Sequence, residues 1–254
     1  MIPNPLITTV DEAESTNALA MARVFEGAGH GYAVRARRQT GGRGRVGRVW
    51  KDLQGPQLFL SIALVGEAYI QAAPLIPLVA GLSTAEALDE CCGTRTGLKW
   101  PNDLLLDTSA GPQKVGGLLC EAAVRGGTKG VIVGIGVNLS GHEIPDVLTG
   151  LATTIERETG HAADPDAIAA RVRHLVLGRC EALIGGDRSA IDAWRERDVT
   201  RGRRVIAADG LRGRADGIAD DGALVIVDER GDRHEVRAGL VRWDTKDSAA
   251  TPPR

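Results

Sequence analysis

The sequence predicts an α+β fold: a mixed or antiparallel sheet with helices packed on it, then a small β-barrel-like module. Three observations predict it. Strand-like segments between residues 57 and 139 are separated by short turns rather than helices, so they pair antiparallel or mixed. Two apolar-periodic stretches, Ala72–Cys92 and Pro165–Ile184, are long enough for extended helices. Near Val199 the composition shifts to short strands punctuated by Gly and Asp. The boundaries expected are a first domain over 1–199, a small one over 200–244 and a frayed tail over 245–254.

Taken in order, Met1–Val10 is short and Pro-containing, too short for the two helices of a helix-turn-helix. Ser15 or Thr16 then caps a helix carrying Leu19, Met21, Val24 and Phe25, and Gly27 or Gly29 ends it. Capping alone accounts for Ser15-Thr16-Asn17, although free N–H groups at a helix start also suit polar or anionic ligands. Gly31–Gln39 alternates as a strand does, and Gln57–Val65 is a continuous apolar strand. In Ala72–Cys92, Pro77 is tolerable only near the helix start. Strands follow at Leu104–Asp107, Lys114–Glu121 and Lys129–Leu139, with Thr108–Gln113 as turn material. The glycines of Lys129–Leu139 mark close approach by another backbone or a ligand. Thr149–Glu158 reads as a connection and helix start, and Ser189–Arg197 as a further helix beyond Pro165–Ile184. These helices are expected on one face of the sheet. The final strands are Arg203–Ala207, Leu211–Ile218, Ala223–Asp228 and Glu235–Ala238, with turns at Asp220-Asp221-Gly222 and Gly231-Asp232.

Composition bounds the function. The 254 residues are 43% hydrophobic and 25% charged, with a formal charge of -2, as in an ordinary soluble protein. Aromatics make up 3%, which weakens any reading based on stacking nucleobases. No signal peptide is visible, and no apolar run approaches the roughly 20 residues of a membrane span. Cys91, Cys92, Cys120 and Cys180 match no zinc spacing and read as reduced and mostly buried, which points to the cytoplasm.

Against this background Arg35–Trp50 stands out, with six arginines, four glycines and no acid. Arginine offers bidentate donors to phosphate or carboxylate, and glycine permits close backbone approach. A solvated basic loop, a nucleic-acid arm and a loop ordering over a small phosphorylated ligand all fit such a run. The alternation G-R-G-R-x-G-R-x-W is neither a Walker loop nor a dinucleotide fingerprint. Elsewhere the polar residues of the strand-rich half are Ser15, Thr16, Asn17, Gln39, Lys99, Asn102, Asp103, Lys114 and Asn138. Singly, a lysine such as Lys99 or Lys114 is more often a surface residue, and Trp100 is more often core. Together they lack a Cys/His pair, a Ser/His/Asp set or metal-ligand spacing, and the five histidines are scattered. That argues for chemistry by positioning and charge neutralisation.

The segments GRGRVGRVW (Gly42–Trp50), KWPNDLLL, KVGGLLCE and GIGVNL, in this order and with STN upstream, resemble the bacterial biotin protein ligase family. The resemblance spans Thr9–Leu139 by motif. It implies a class II synthetase-like catalytic domain and an SH3-like final module. It also implies the ligase-only class, without an N-terminal winged helix, and Gly41-Gly42 replaces a common Ala-Gly pair. The implied reaction has two steps: biotin and MgATP form biotinyl-5′-AMP, then a lysine of an apo biotin carboxyl carrier domain takes the biotin.

The resemblance places Ser15, Thr16 and Gln39 at the ureido ring, Asn17, Gly42 and Gly44 elsewhere in the biotin site, and Gly116 and Gly117 in close strand approach to the ligand. Arg43, Arg45 and Lys114 serve the carboxylate and α-phosphate. Arg48, Lys99, Asn102, Asp103 and Asn138 serve the nucleotide, and Trp50 is a wall against the valeryl chain or the adenine. Asp103 is also the residue that could take or orient the acceptor lysine's proton, and magnesium enters mainly through the ATP phosphates, with Asp103 its one protein candidate. Neither DNA nor membrane is an expected partner, and the state expected is monomer or homodimer. A lipoate ligase, a nucleic-acid module and a non-enzymatic biotin sensor are the rivals.

Overall fold

Seven strands form the central layer of the computed structural model, which describes residues 7–50, 55–141, 144 and 148–244. The strands are β1 (Thr8–Ala13), β2 (Ala33–Gln39), β3 (Gln57–Val65), β4 (Gly97–Lys99), β5 (Asp103–Thr108), β6 (Gly111–Arg125) and β7 (Thr128–Asn138). Their order is β1-β2-β3-β7-β6-β5-β4, parallel for β1·β2 and antiparallel elsewhere. The sheet is therefore mixed, as expected. The expected turn at Thr108–Gln113 shrinks to Ser109-Ala110, because β6 already begins at Gly111.

Among the described residues there are six α-helices: α1 (Thr16–Phe25), α2 (Glu67–Gln71), α3 (Ile76–Cys92), α4 (Ile155–Thr159), α5 (Pro165–Ile184) and α6 (Ser189–Glu196); α1, α3, α5 and α6 fall on the expected stretches, α4 on the expected helix start, and α2 has no counterpart among them. The Ser15 hydroxyl accepts from Ala18 N at α1, Asp164 Oδ1 accepts from Asp166 N and Ala167 N at α5, and Pro77 sits in the first turn of α3.

Strand alternation divides the sheet into two faces. Leu58, Leu60, Ile62 and Leu64 of β3, with Val131, Val133, Ile135 and Val137 of β7, pack against α3 and α5 in the main core. The opposite face carries Ala63 and Ile132, against Ala20 and Val24 of α1. Helices thus lie on both faces, not one. A lone helix covers the second face only in part, and the uncovered part becomes the site.

The final strands are β8 (Arg204–Ala207), β9 (Arg212–Ile218), β10 (Leu224–Val227), β11 (Arg233–Val236) and β12 (Val241–Trp243), forming an antiparallel sheet ordered β11-β10-β9-β8-β12. Val205, Ala215, Leu224 and Ile226 belong to the same buried cluster as α3, so the two sheets share one core. Trp100 Nε1 donates to Gly222 O at 2.9 Å across their junction. The tail expected at 245–254 lies outside the described residues. Of the cysteines only Cys180 is buried; Cys91 is exposed and Cys92 half-buried at the end of α3, and Cys120 is half-buried on β6. No described helix is long and apolar enough to cross a membrane.

Asp198 joins α6 to the small sheet. Its Oδ1 accepts from Thr200 N at 2.8 Å, while its Oδ2 is buried with no partner. Burial, partly offset by the Thr200 N–H, pushes this carboxyl up to about 6. The folded chain therefore holds the proton more tightly than the unfolded one, whose value is about 3.9. The resulting instability is absent below about pH 4, grows through the window from about 4 to 6, and is complete above it. Asp198→Asn keeps the Thr200 contact and should stabilise the protein at pH 7 by on the order of 2 kcal/mol, with little gain at pH 4. Thermal melts at both pH values check this, and an equal gain at each would refute it.

Candidate active site

The floor of the site is the α1 face of β3, β7 and β6. In register, Phe59, Gly136 and Gly117 form one row across the strands, and Ser61, Gly134 and Leu119 the next. Glycine is required here for space. A Cβ on Gly134 would stand 2.2 Å from Asn17 Oδ1, and one on Gly136 would stand 3.0 Å from the Trp50 ring. Two bare positions on a central strand let a polar side chain and an indole lie down on the sheet.

The α1 end of this floor is polar. Thr16 N and Oγ1 donate to Gln39 Oε1 at 2.8 and 3.0 Å, and Ser61 Oγ is 2.8 Å from Thr16 Oγ1 and 2.6 Å from Asn17 Oδ1. Asn17 Nδ2 donates to Leu119 O and to Glu121 Oε2. Ser15 caps α1 and also lines the cavity, so its two candidate roles coexist. Fixed by this network, the side chains present a preorganised set of donors and acceptors to a buried polar group.

The arginine run divides into two halves. Arg35 is buried and paired with Asp166, Arg37 is paired with Asp11, and Arg38 with Glu12. These three belong to β2 and its neighbours, not to an anion site. Beyond β2 the backbone doubles back: Trp50 N donates to Gly42 O, Gly44 N donates to Arg48 O, and Arg43 pairs with Val49. Arg43, Gly44, Arg45, Arg48 and Trp50 all reach the cavity wall. Gly42 does not; the space beside it is filled by Gln39 Nε2 and by Trp50, so its role is to admit them. Arg43 Nη2 lies 3.5 Å from Glu121 Oε2. Burial lowers the pKa of Arg45, opposed by the charges nearby, including Asp103. At the tip, Val46 adopts a left-handed φ of 54° with its side chain 73% exposed.

The other end is built by β4, β5 and a bulge in β6. Leu105 pairs with Lys114 but Leu104 with Gly116, so β6 holds one extra residue there. Such a bulge re-aims a side chain, and Lys114 Nζ reaches Asp103 Oδ1 at 2.5 Å and the Trp50 ring at 5.5 Å. Its stem occupies the place of a Gly117 side chain: a Cβ there would be 3.1 Å from Nζ. Gly116 faces Leu104, Val137 and Gly136 O instead, so it serves strand packing and not ligand approach. Asn102 Nδ2 donates to Leu118 O, and Asn138 Nδ2 to Thr153 O. Trp100 is buried core that also touches the cavity. Lys99, opposite Asp103 in the ladder, has its pKa lowered by burial.

These parts enclose a cavity of about 380 Å³. Arg43, Arg45, Arg48, Lys99, Lys114 and Arg242 line it, against Asp103 as the only carboxylate among the described lining residues. Six cations facing one acid make an anion site, apolar along Phe59, Gly136 and Trp50 and polar at the α1 end. Sequence reasoning missed Arg242, Leu148 and Leu151, which arrive from distant segments with no local motif. It also missed Glu121, although that residue closes the KVGGLLCE segment.

Comparison with known proteins adds four findings. The model of the biotin/lipoate A/B protein ligase family matches residues 12–138. A biotin–[acetyl-CoA-carboxylase] ligase of Paracoccus denitrificans is 35% identical over 84% of this chain and 90% of its own length. The bifunctional ligase/repressor BirA of Bacillus subtilis is 31% identical over 66% of this chain; the match spans about half (50%) of that relative's length. Among solved structures, the biotin protein ligase from Aquifex aeolicus in complex with biotin and ATP superposes with a TM-score of 0.80, at 28% identity, over 94% of this chain and 99% of that one.

Proposed function

The chain belongs to the biotin/lipoate A/B protein ligase family, and from that premise we propose that it is an ATP-dependent biotin protein ligase. In this reading the biotin carboxylate oxygen attacks the α-phosphorus of ATP, expelling pyrophosphate and leaving biotinyl-5′-AMP. The ε-amine of a lysine on an apo biotin carboxyl carrier domain then attacks the acyl carbon, AMP leaves, and the amine loses a proton. The observation that carries the reading is the polarity gradient of the cavity. A fused ureido ring suits the Ser15, Thr16, Asn17 and Gln39 end, an aliphatic chain suits the Gly136–Trp50 floor, and a carboxylate meeting a triphosphate suits the cationic end.

Bringing two anions together is the electrostatic difficulty of the first step. Arg45 and Lys114, partly screened from water, offset it where charge builds up. Arg43 takes the same side, with Gly44 and Gly117 giving the backbone room, while Arg48, Lys99, Asn102 and Asn138 take the nucleotide. Asp103 is assigned to orient the incoming amine. Magnesium enters with ATP as part of that substrate; it binds through phosphates plus one or two carboxylates. Among the described residues no group of three or more His, Cys, Asp or Glu gathers at one point, and Asp103 is the carboxylate at hand. We assign the catalytic unit to 1–199, the small β unit to 200–244 and a tail to 245–254, with a cytoplasmic location in keeping with the free thiols. The ion pairing of Arg35, Arg37 and Arg38 speaks for a small-molecule loop over a nucleic-acid arm.

The test is ATP–pyrophosphate exchange with biotin or lipoate, followed by mass analysis of an apo carrier domain. Biotin-dependent exchange and one biotinylated lysine are expected. Lipoate-dependent exchange would make it the sister activity, and biotin binding without exchange would make it a sensor.

A further inference from the structure

Lys99 Nζ has no hydrogen bond or ion pair among the described residues. What it meets is an aromatic ring: it stands 4.9 Å from the ring centroid of Trp243, and the Arg203 guanidinium carbon stands 4.2 Å from the same ring. Trp243 ends β12, whose preceding residues Val241 and Arg242 line the cavity. Its indole Nε1 is buried without a partner. An unpaired buried donor is unfavourable, so hydrogen bonding is not what sets this ring; its packing on two cations is.

The choice of partner matters for chemistry. Lys114 is held by the Asp103 carboxylate, which cancels much of its charge until a ligand arrives. A π-face attracts an ammonium without neutralising it and without consuming its N–H donors. Burial works against the charge on Lys99, and Lys114, Arg48 and Arg203 add to that. The ring and Asp103 oppose it. We propose that Trp243 is a positioning residue that holds Lys99 as an unneutralised cation aimed at the phosphates of the nucleotide. This rests on the reading of the cavity as a biotin–ATP site.

Two measurements on the full chain test it. Lysines are reductively methylated with 13C, and the Lys99 signal is identified by its loss in Lys99→Arg. A ring-current upfield shift is expected in the wild type and its disappearance in Trp243→Leu; an unshifted wild-type signal overturns the clamp whether or not the chain is a ligase. In biotin-dependent exchange, Trp243→Leu should raise the ATP KM roughly tenfold, leaving kcat and the biotin Kd within about twofold. Trp243→Phe should restore most of the loss, and Trp243→Leu should add nothing in a Lys99→Met background. Additive effects, or a parallel fall in biotin affinity, overturn the proposal. If Trp243→Leu does not fold, Trp243→Phe carries the kinetic arm with a KM rise of about threefold, and an unchanged KM counts against the clamp. Absence of exchange in the wild type would sink the ligase reading alone.

Discussion

Lys114→Met should lower biotin-dependent pyrophosphate exchange by about 10³-fold while leaving biotin binding within about threefold. The reason is where the ammonium sits. The bulge in β6 aims Lys114 at the junction of the apolar floor and the cationic end, 2.5 Å from Asp103 and 5.5 Å from the Trp50 ring. A carboxylate and an α-phosphate brought together at that junction both gain from it, and the gain rises as negative charge accumulates in the transition state. Methionine keeps the length of the stem that lies over Gly117, so the floor is preserved. Asp103 loses its partner but is partly hydrated, and Lys114→Met/Asp103→Asn removes even that charge. Exchange rates and calorimetry check the expectation; exchange within tenfold of wild type would remove Lys114 from the first step.

The second large effect is expected from Arg45→Gly, and it should be greater in release of the intermediate than in its formation. Arg45 lies between the doubled-back loop and the cavity and is buried enough for its pKa to fall. A charged hydrogen bond lost from such a site costs about 1.5–3 kcal/mol, so the adenylate should leave ~10- to 100-fold faster. Glycine there also adds freedom to a loop that already contains Gly42, Gly44 and Gly47. Leaked adenylate should then biotinylate exposed lysines of bystander proteins. Single-turnover chase experiments measure the off-rate, and an unchanged value would take Arg45 away from the intermediate.

Legibility in the sequence followed local density of signal. Gln57–Val65 and Pro165–Ile184 coincide with β3 and α5 because a nine-residue apolar run and a Pro-started amphipathic stretch each admit one element. β1 and β4 escaped notice. Thr8–Ala13 is a largely exposed edge strand with no apolar alternation, and Gly97–Lys99 is a strand only because β5 and the 197–199 segment hydrogen-bond to it. Among site residues, those packed into short motifs were found. Gly42 and Gly116 were found too, but as space-makers for neighbours and not as walls. Arg242 could not be found, since only tertiary packing brings it to the cavity that Asn102, 140 residues earlier in the chain, also lines.

The division of β7 into two faces has a consequence for how this fold goes wrong. Residues 131, 133, 135 and 137 are branched and apolar, whereas 134 and 136 are bare. A pairing slip by one position would thrust valine and isoleucine into the cavity and leave holes under α3 and α5. Misfolded copies therefore lose their interior and their cavity in the same stroke. A chain that passes the test of folding arrives with its recognition surface already cut, and selection for either one guards the other.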